Sequence, residues 1–200
     1  MLTPSNKLGA INSMLSAVGE APITNLETDL AESEIALSIL DDVSREVQSK
    51  GWSWNTQRDR AMPKTSTGEV LLPVNTLKVD IKDKDTKRSD RTRRVTRRGD
   101  KLYDLLERSF TFEIDVYLDL VLGLAFEDLT ESARRYILLD ATSRYMQNVL
   151  GADVDLQQMQ LQAQKAWVQM EQEEDEMGDL NVIADNPLTN YSAIRTRNLN

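Results

Sequence analysis

Between Lys82 and Lys101 the chain reads KDKDTKRSDRTRRVTRRGDK, ten basic residues against four Asp, a local charge of +6 where the whole chain carries −9. Three roles are open to such a run: binding phosphates, docking on an acidic protein surface, or simple solvation with Asp83, Asp85 and Asp90 paired locally. Six of its cations are arginines, Arg88, Arg91, Arg93, Arg94, Arg97 and Arg98. The planar guanidinium grips carboxylates in bidentate fashion, which Lys does poorly. Charge alone would bind phosphate without sequence preference. No aromatic residue lies within the segment, so the stacking platform of a single-strand binder is missing. Carboxylates are the better partner for these arginines.

The remainder of the chain carries −15, and its densest acidic stretch is EQEEDEM, Glu171 to Met177. Glu171, Glu173, Glu174 and Glu176 suit a solvated helix face, an acidic lining that repels polyanions, or a dock for a neighbour's basic segment. Neither these acids nor Asp41–Asp42 show the Asp-x-Asp-x-Asp-Gly spacing of a calcium loop. The chain has no His and no Cys, which excludes Ser–His–Asp and Cys–His catalysis, thiolate zinc sites and disulfides. Its eight glycines are scattered, without a phosphate-cradling cluster. No catalytic residue, metal or cofactor is therefore expected, and a binding or structural role is favoured. The alternatives are a carboxylate-based polysaccharide hydrolase, needing two acids roughly 5–10 Å apart in a cleft, and, less favoured, a nucleic-acid-binding protein.

Positioning falls to elements whose periods change along the chain. Leu8, Ile11, Leu15 and Val18 repeat helically behind a Ser5 cap, and Gly19 and Pro22 stop the run. Asp29 and Glu32 suit a capping box for a second helix carrying Ile35, Ile39, Val43 and Val47. WSWN reads as extended, with Trp52 and Trp54 on one side. Together with Trp167 they are expected in packing rather than as ligand platforms. Val70, Leu72 and Val74, then Leu77, Val79 and Ile81, alternate as strands. Arg98-Gly99-Asp100 suits a hairpin turn, and FTFEIDVYLDLVL is the clearest strand, with Phe110 to Leu122 on one face. Helical spacing returns at Thr130 and again from Asp153 to Met177, the last with a thin apolar stripe. The expected fold class is α+β, mainly α: an antiparallel four-helix bundle formed by residues 1–56 and 128–178, with a β-rich insertion at 57–127 between helices 2 and 3. Residues 179–200 form an extended arm in which Tyr191, Arg195 and Arg197 are docking candidates. No apolar window is long enough to span a bilayer, and MLTPSNKLGAINS lacks the pattern of a secretory signal, so cytoplasmic synthesis is expected.

LGAINSMLSAVGEAPITNLE (Leu8 to Glu27) and ILDDVSREVQSKGWSWN (Ile39 to Asn55) together resemble the opening of the tail tubular protein A family, head-to-tail adaptors of short-tailed phages of the T7 type. The likeness continues through LYD (Leu102 to Asp104), AFEDLTESARRYILLDATSRYMQ (Ala125 to Gln147) and the acidic last helix. It spans Leu8 to Met177 and is weak across Thr56 to Thr96. The resemblance implies a virion component assembled in the host cytoplasm, a homo-oligomeric ring of twelve subunits. One face of that ring would meet the portal protein and the other the nozzle, tail tubular protein B, with a tail fibre near the second junction. DNA would pass through the ring without specific binding, and no membrane is involved.

Overall fold

The computed structural model describes residues 3–27, 30–81, 94–151 and 154–185, with only the backbone described at 154 and 178–185. Helix α1 (Lys7–Ala17) is capped by Asn6, whose side-chain oxygen accepts the Gly9 N–H at 2.8 Å. The cap is thus one residue later than Ser5. A carboxylate from a distant part of the chain completes this end: Glu127 Oε1 accepts the Lys7 N–H at 2.8 Å. The first N–H groups of a helix lack partners within it and carry partial positive charge. That hydrogen bond holds the Glu127 carboxyl below the usual carboxylate range. Its stabilising effect is present at neutral pH and is lost as acid titrates the carboxylate through its lowered value. We expect Glu127→Gln to destabilise the chain by about 0.5–1 kcal/mol at neutral pH and to flatten part of the acid limb of a pH–stability profile measured by urea unfolding.

Helix α2 (Ala31–Gln48) starts at Leu30 without a side-chain cap, and the expected capping residue Asp29 lies outside the described residues. Ala36, Leu40, Val43 and Val47 are buried, whereas Ile35 faces solvent. Helix α3 (Glu131–Leu150) begins at the cap Thr130 and stops at Gly151, which takes a positive φ of 76°. Helix α4 (Val154–Asp185) follows.

The sequence-based four-helix bundle does not form. Helix α3 is the hub: α1 and α2 pack against it and against each other, while among the described residues α4 packs mainly along α3 and next most on the 3₁₀ turn Ser53–Asn55. Among the described residues of α4, Met170 and Trp167 join the core that α1, α2 and α3 share. The reason is the width of the stripe. Leu156, Ala163, Ala166 and Met170 are the buried residues of α4, and a line of small side chains amid Gln and Glu can cover one neighbour, not two. The fold is mixed α+β. Helix α4 also continues through Gly178 to Asp185, so the arm expected from residue 179 starts no earlier than 186, outside the described residues.

The β elements build a second core. Strands β1 (Thr56–Met62), β2 (Thr76–Ile81) and β5 (Val116–Leu122) form an antiparallel sheet of order β1-β5-β2. Strands β3 (Val95–Arg98) and β4 (Lys101–Asp104) form the hairpin, turning at Gly99 with φ 66°. The long strand expected from Phe110 is shorter: Val116, Leu118, Leu120 and Leu122 alternate inward with Phe112, but Phe110 and Ile114 are exposed. Val70 and Leu72 also face this core, held through isolated bridges such as Leu71 to Lys101 rather than a continuous strand. In β1 a two-for-one bulge lies between Gln57 and Arg60, with Asp59 at φ 55° and its N–H donated to Asp119 Oδ1 at 2.7 Å. The bulge and the charges at Arg58 and Arg60 blunt that sheet edge against unwanted pairing.

Two buried amides join the cores. Gln48, at the end of α2, accepts the Leu124 N–H at 2.6 Å and donates to the Leu124 carbonyl at 3.2 Å and to Ser44 Oγ at 2.9 Å. Asn55 donates to the carbonyls of Gln48 at 2.9 Å and Leu122 at 3.0 Å, and accepts the Trp52 N–H at 2.8 Å. Leu124 itself packs against both cores. The seam is polar, yet both amides find partners for donor and acceptor atoms, as burial demands.

Candidate functional site

The basic segment divides three ways. Arg88, Arg91 and Arg93 lie outside the described residues, as do Tyr191, Arg195 and Arg197. Arg97 is engaged within the chain: Nε donates to the Gly99 carbonyl at 2.7 Å and a terminal nitrogen donates to the Thr76 carbonyl, tying the hairpin to β2. Arg98 lies over the Tyr103 ring at 3.6 Å from its centroid, a cation–π contact. Arg94 is exposed, and its carbonyl accepts the Leu105 N–H at 2.8 Å. Lys101 pairs with Glu69 at 2.9 Å, and the hydrogen bond to Glu69 raises its pKa.

A feature missed by sequence reasoning sits beside those arginines. The turn from β4 toward Phe110 is organised by Asp104, only 2 % exposed. One carboxylate oxygen accepts the N–H groups of Leu106 at 2.8 Å and Glu107 at 3.0 Å. Its backbone exchanges bonds with Ser109 in both directions. Side-chain oxygens of Asp commonly organise turns this way. Arg108 takes φ 53° to close the loop, and Phe110 meets Tyr103 edge-on at 4.9 Å. The result is a tied loop that turns Leu105, Leu106 and Phe110 outward, 44 %, 42 % and 37 % exposed. Exposed Glu107 and Arg108 belong to the loop and Arg94 is bonded to it through the Leu105 N–H, while Arg98, opposite Lys101 near the hairpin turn, lies over Tyr103. The signal was present as Leu-Leu next to the hairpin, but apolar residues there read equally well as core.

The acidic end of α4 also divides. Glu174 reaches the 3₁₀ turn: Oε1 accepts the Ser53 N–H at 2.7 Å and Oε2 the Ser53 hydroxyl at 2.8 Å. It is an anchor for α4. Glu173 is half-buried, while Glu171 and Glu176 are exposed. The tryptophans sit just inside this anchor. Trp52 and Trp54 stack at 6.3 Å, Trp52 meets Trp167 edge-on at 5.4 Å, and Tyr136 meets Trp167 at 4.9 Å. Lys50 Nζ lies 3.8 Å from the Trp167 ring centroid. Packing of Trp52, Trp54 and Trp167 between α2, α3 and α4, as expected from the sequence, is what the structure contains.

Elsewhere, Arg144 on α3 bridges two carboxylates, Glu46 at 2.9 Å and Asp140 at 2.8 Å. Burial pushes the Asp140 carboxyl up and, nearby, the Tyr136 phenol up to about 12. Two acids held by one arginine across α2 and α3 form a structural tie. Among the described residues no three acidic side chains converge as a metal site requires, and no described helix is long and apolar enough to cross a membrane. A polar cleft of about 870 Å³ separates α2 from β2 and the hairpin. Asp41, Asp42, Arg45, Lys78 and Arg97 line it, a mixture of opposite charges.

The described surface carries an exposed apolar loop with arginines beside it and, on the other core, a helix with an acidic end. Comparison with known proteins shows the family. The family model described as tail tubular protein matches residues 8–180. Tail tubular protein A of Klebsiella phage KP34 is 33 % identical over 147 residues, covering 74 % of this chain and 75 % of that protein. This chain belongs to the tail tubular protein family, the structural components of phage tails.

Proposed function

We propose that the chain is the adaptor subunit of the tail, one of twelve in a ring between the portal protein and the nozzle, tail tubular protein B. The ring surrounds the DNA exit channel, with a tail fibre near the nozzle junction, and it is assembled in the host cytoplasm. No catalytic step is involved. Family membership over nearly the whole chain carries this reading. The architecture supports it: an adaptor needs two docking ends held at a set distance, and two separate cores clasped by Gln48 and Asn55 provide a stiff connection between two ends. A chain of net charge −9 disfavours tight DNA binding, so a duplex can move past it.

Mixing the full chain with its portal and imaging the product by electron microscopy tests the reading. The expected result is a closed annulus stacked coaxially on the portal. Portal particles left bare at saturating chain would refute it. Within the same proposal, residues 190–200, which include Tyr191, Arg195 and Arg197, dock on the portal. Deleting them is expected to weaken portal attachment by about tenfold or more, the scale at which a few interface residues dominate binding. Circular dichroism should stay unchanged. Equal attachment by the shortened chain would remove the arm from the interface.

A further inference from the structure

Helix α4 has two apolar lines, and only one is covered. Leu156, Ala163 and Met170 lie seven residues apart and are buried. Leu161 and Val168, also seven apart, are 51 % and 46 % exposed. The same spacing continues to Asp175, with Glu171 one turn after Val168, both exposed. Helical geometry sets these residues in one outward stripe, apolar in its first half and acidic in its second. The loop at Leu105, Leu106 and Phe110 is its counterpart in charge and character: apolar at the centre, with the exposed Arg108 within it and the exposed Arg94 bonded to it through the Leu105 N–H.

We propose that this loop docks on the outer stripe of α4 of a second copy of the chain, Leu105 and Leu106 meeting Leu161 and Val168 while Arg94 and Arg108 meet Glu171 and Asp175. Nucleic acid is the poorer occupant. Of the exposed apolar residues of the loop only Phe110 offers a π-face for a base, Arg98 already covers one face of Tyr103, and a chain of net charge −9 repels phosphate. A contact between two unlike patches of the same chain is heterologous, so it leaves one patch of each kind open and continues from copy to copy, into a ring when the rotation closes. The buried carboxylate of Asp104 serves this docking by ordering the loop beforehand, which lowers the entropic cost of binding. The inference rests on the ring reading above, and names the surfaces through which neighbours meet.

The absence of cysteine in the chain makes a direct test possible. Two single variants, Leu106→Cys and Val168→Cys, and the double variant are oxidised in air at high protein concentration and separated on non-reducing gels, with electron microscopy in parallel. The expected result is a disulfide-linked dimer when the two single variants are mixed, a ladder of multimers from the double variant, and little product from either single variant alone. In addition, Leu106→Asp is expected to weaken self-association measured by sedimentation about tenfold or more, with unchanged circular dichroism because Leu106 is exposed. Annuli without a mixed disulfide would overturn this contact and leave the ring standing. Absence of the disulfide together with portal left bare by the same variants and by the parent would overturn both. Disulfides confined to like variants would mean a self-paired loop and sink the proposal. So would DNA retention by the parent chain that Leu106→Asp abolishes.

Discussion

Replacing Trp52 with alanine is expected to destabilise the chain by about 3–5 kcal/mol, the range for removing a buried large aromatic. Trp52 is 7 % exposed and supports three attachments at once. It stacks on Trp54 and meets Trp167 of α4 edge-on. Its indole N–H donates to the Val47 carbonyl at 2.8 Å. Truncation removes one of the two donors to that carbonyl, leaving the Lys50 N–H at 3.2 Å, and opens a space beneath Trp167, where α4 meets the shared core beside Met170 and the Glu174 clamp on Ser53. The loss is therefore expected to be uneven. Urea unfolding should report the global decrease, and amide hydrogen exchange should speed up in α4 well before it does in α3. A variant that loses stability uniformly, with α4 as protected as in the parent, would show that α4 is held mainly by its contact with α3.

Gln48→Leu comes next, at about 2–4 kcal/mol. The substitution keeps nearly the same volume, so packing changes little. It removes the partners of the Leu124 N–H and carbonyl together, and each buried backbone group left unsatisfied costs roughly 1–3 kcal/mol, with Leu124 at the lower end because it is only half-buried. In a chain of this length that corresponds to a fall in melting temperature of about 4–16 °C. The informative readout is cooperativity. With the clasp gone, the two cores have less reason to unfold together, and the denaturant slope is expected to fall as the transition broadens. Asn55→Leu should do the same from the other side of the seam, and the pair should be non-additive because they share Gln48. Full additivity would mean that the amides act as two independent hydrogen-bond sites and not as one clasp.

Most local elements were legible in the sequence. The stop after α1 was visible in Gly19 and Pro22, the start of α3 in Thr130, and the hairpin in Gly99. Packing of the tryptophans, Trp52 buried and Trp54 and Trp167 half-buried, follows from their size. Each of these depends on neighbours within a turn or two: a cap, a positive φ, a side-chain volume. What failed was partner choice. A thin stripe on α4 was assigned to a bundle because periodicity says that a helix has an apolar face and is silent about how many neighbours it meets. The β5 strand was made too long because Phe110 and Ile114 continue the alternation in letters but not in space.

The sites divide along the same physical line. The sequence by itself determined the charge pattern, the exclusion of histidine and cysteine chemistry, and, through the blocks around Gly19 and Gly51, the family. The tertiary structure alone decided which charged groups remain for a partner. Arg97 and Glu174 look like any other members of their clusters until residues 21 and 121 positions away engage them. Gln48 looks like a solvated helix end until Leu124, 76 positions on, is laid against it. Local signals are set by short-range sterics and hydrogen bonding that a few adjacent residues specify. The fate of a polar side chain is set by whichever distant backbone the packing of the two cores brings within about 3 Å of it.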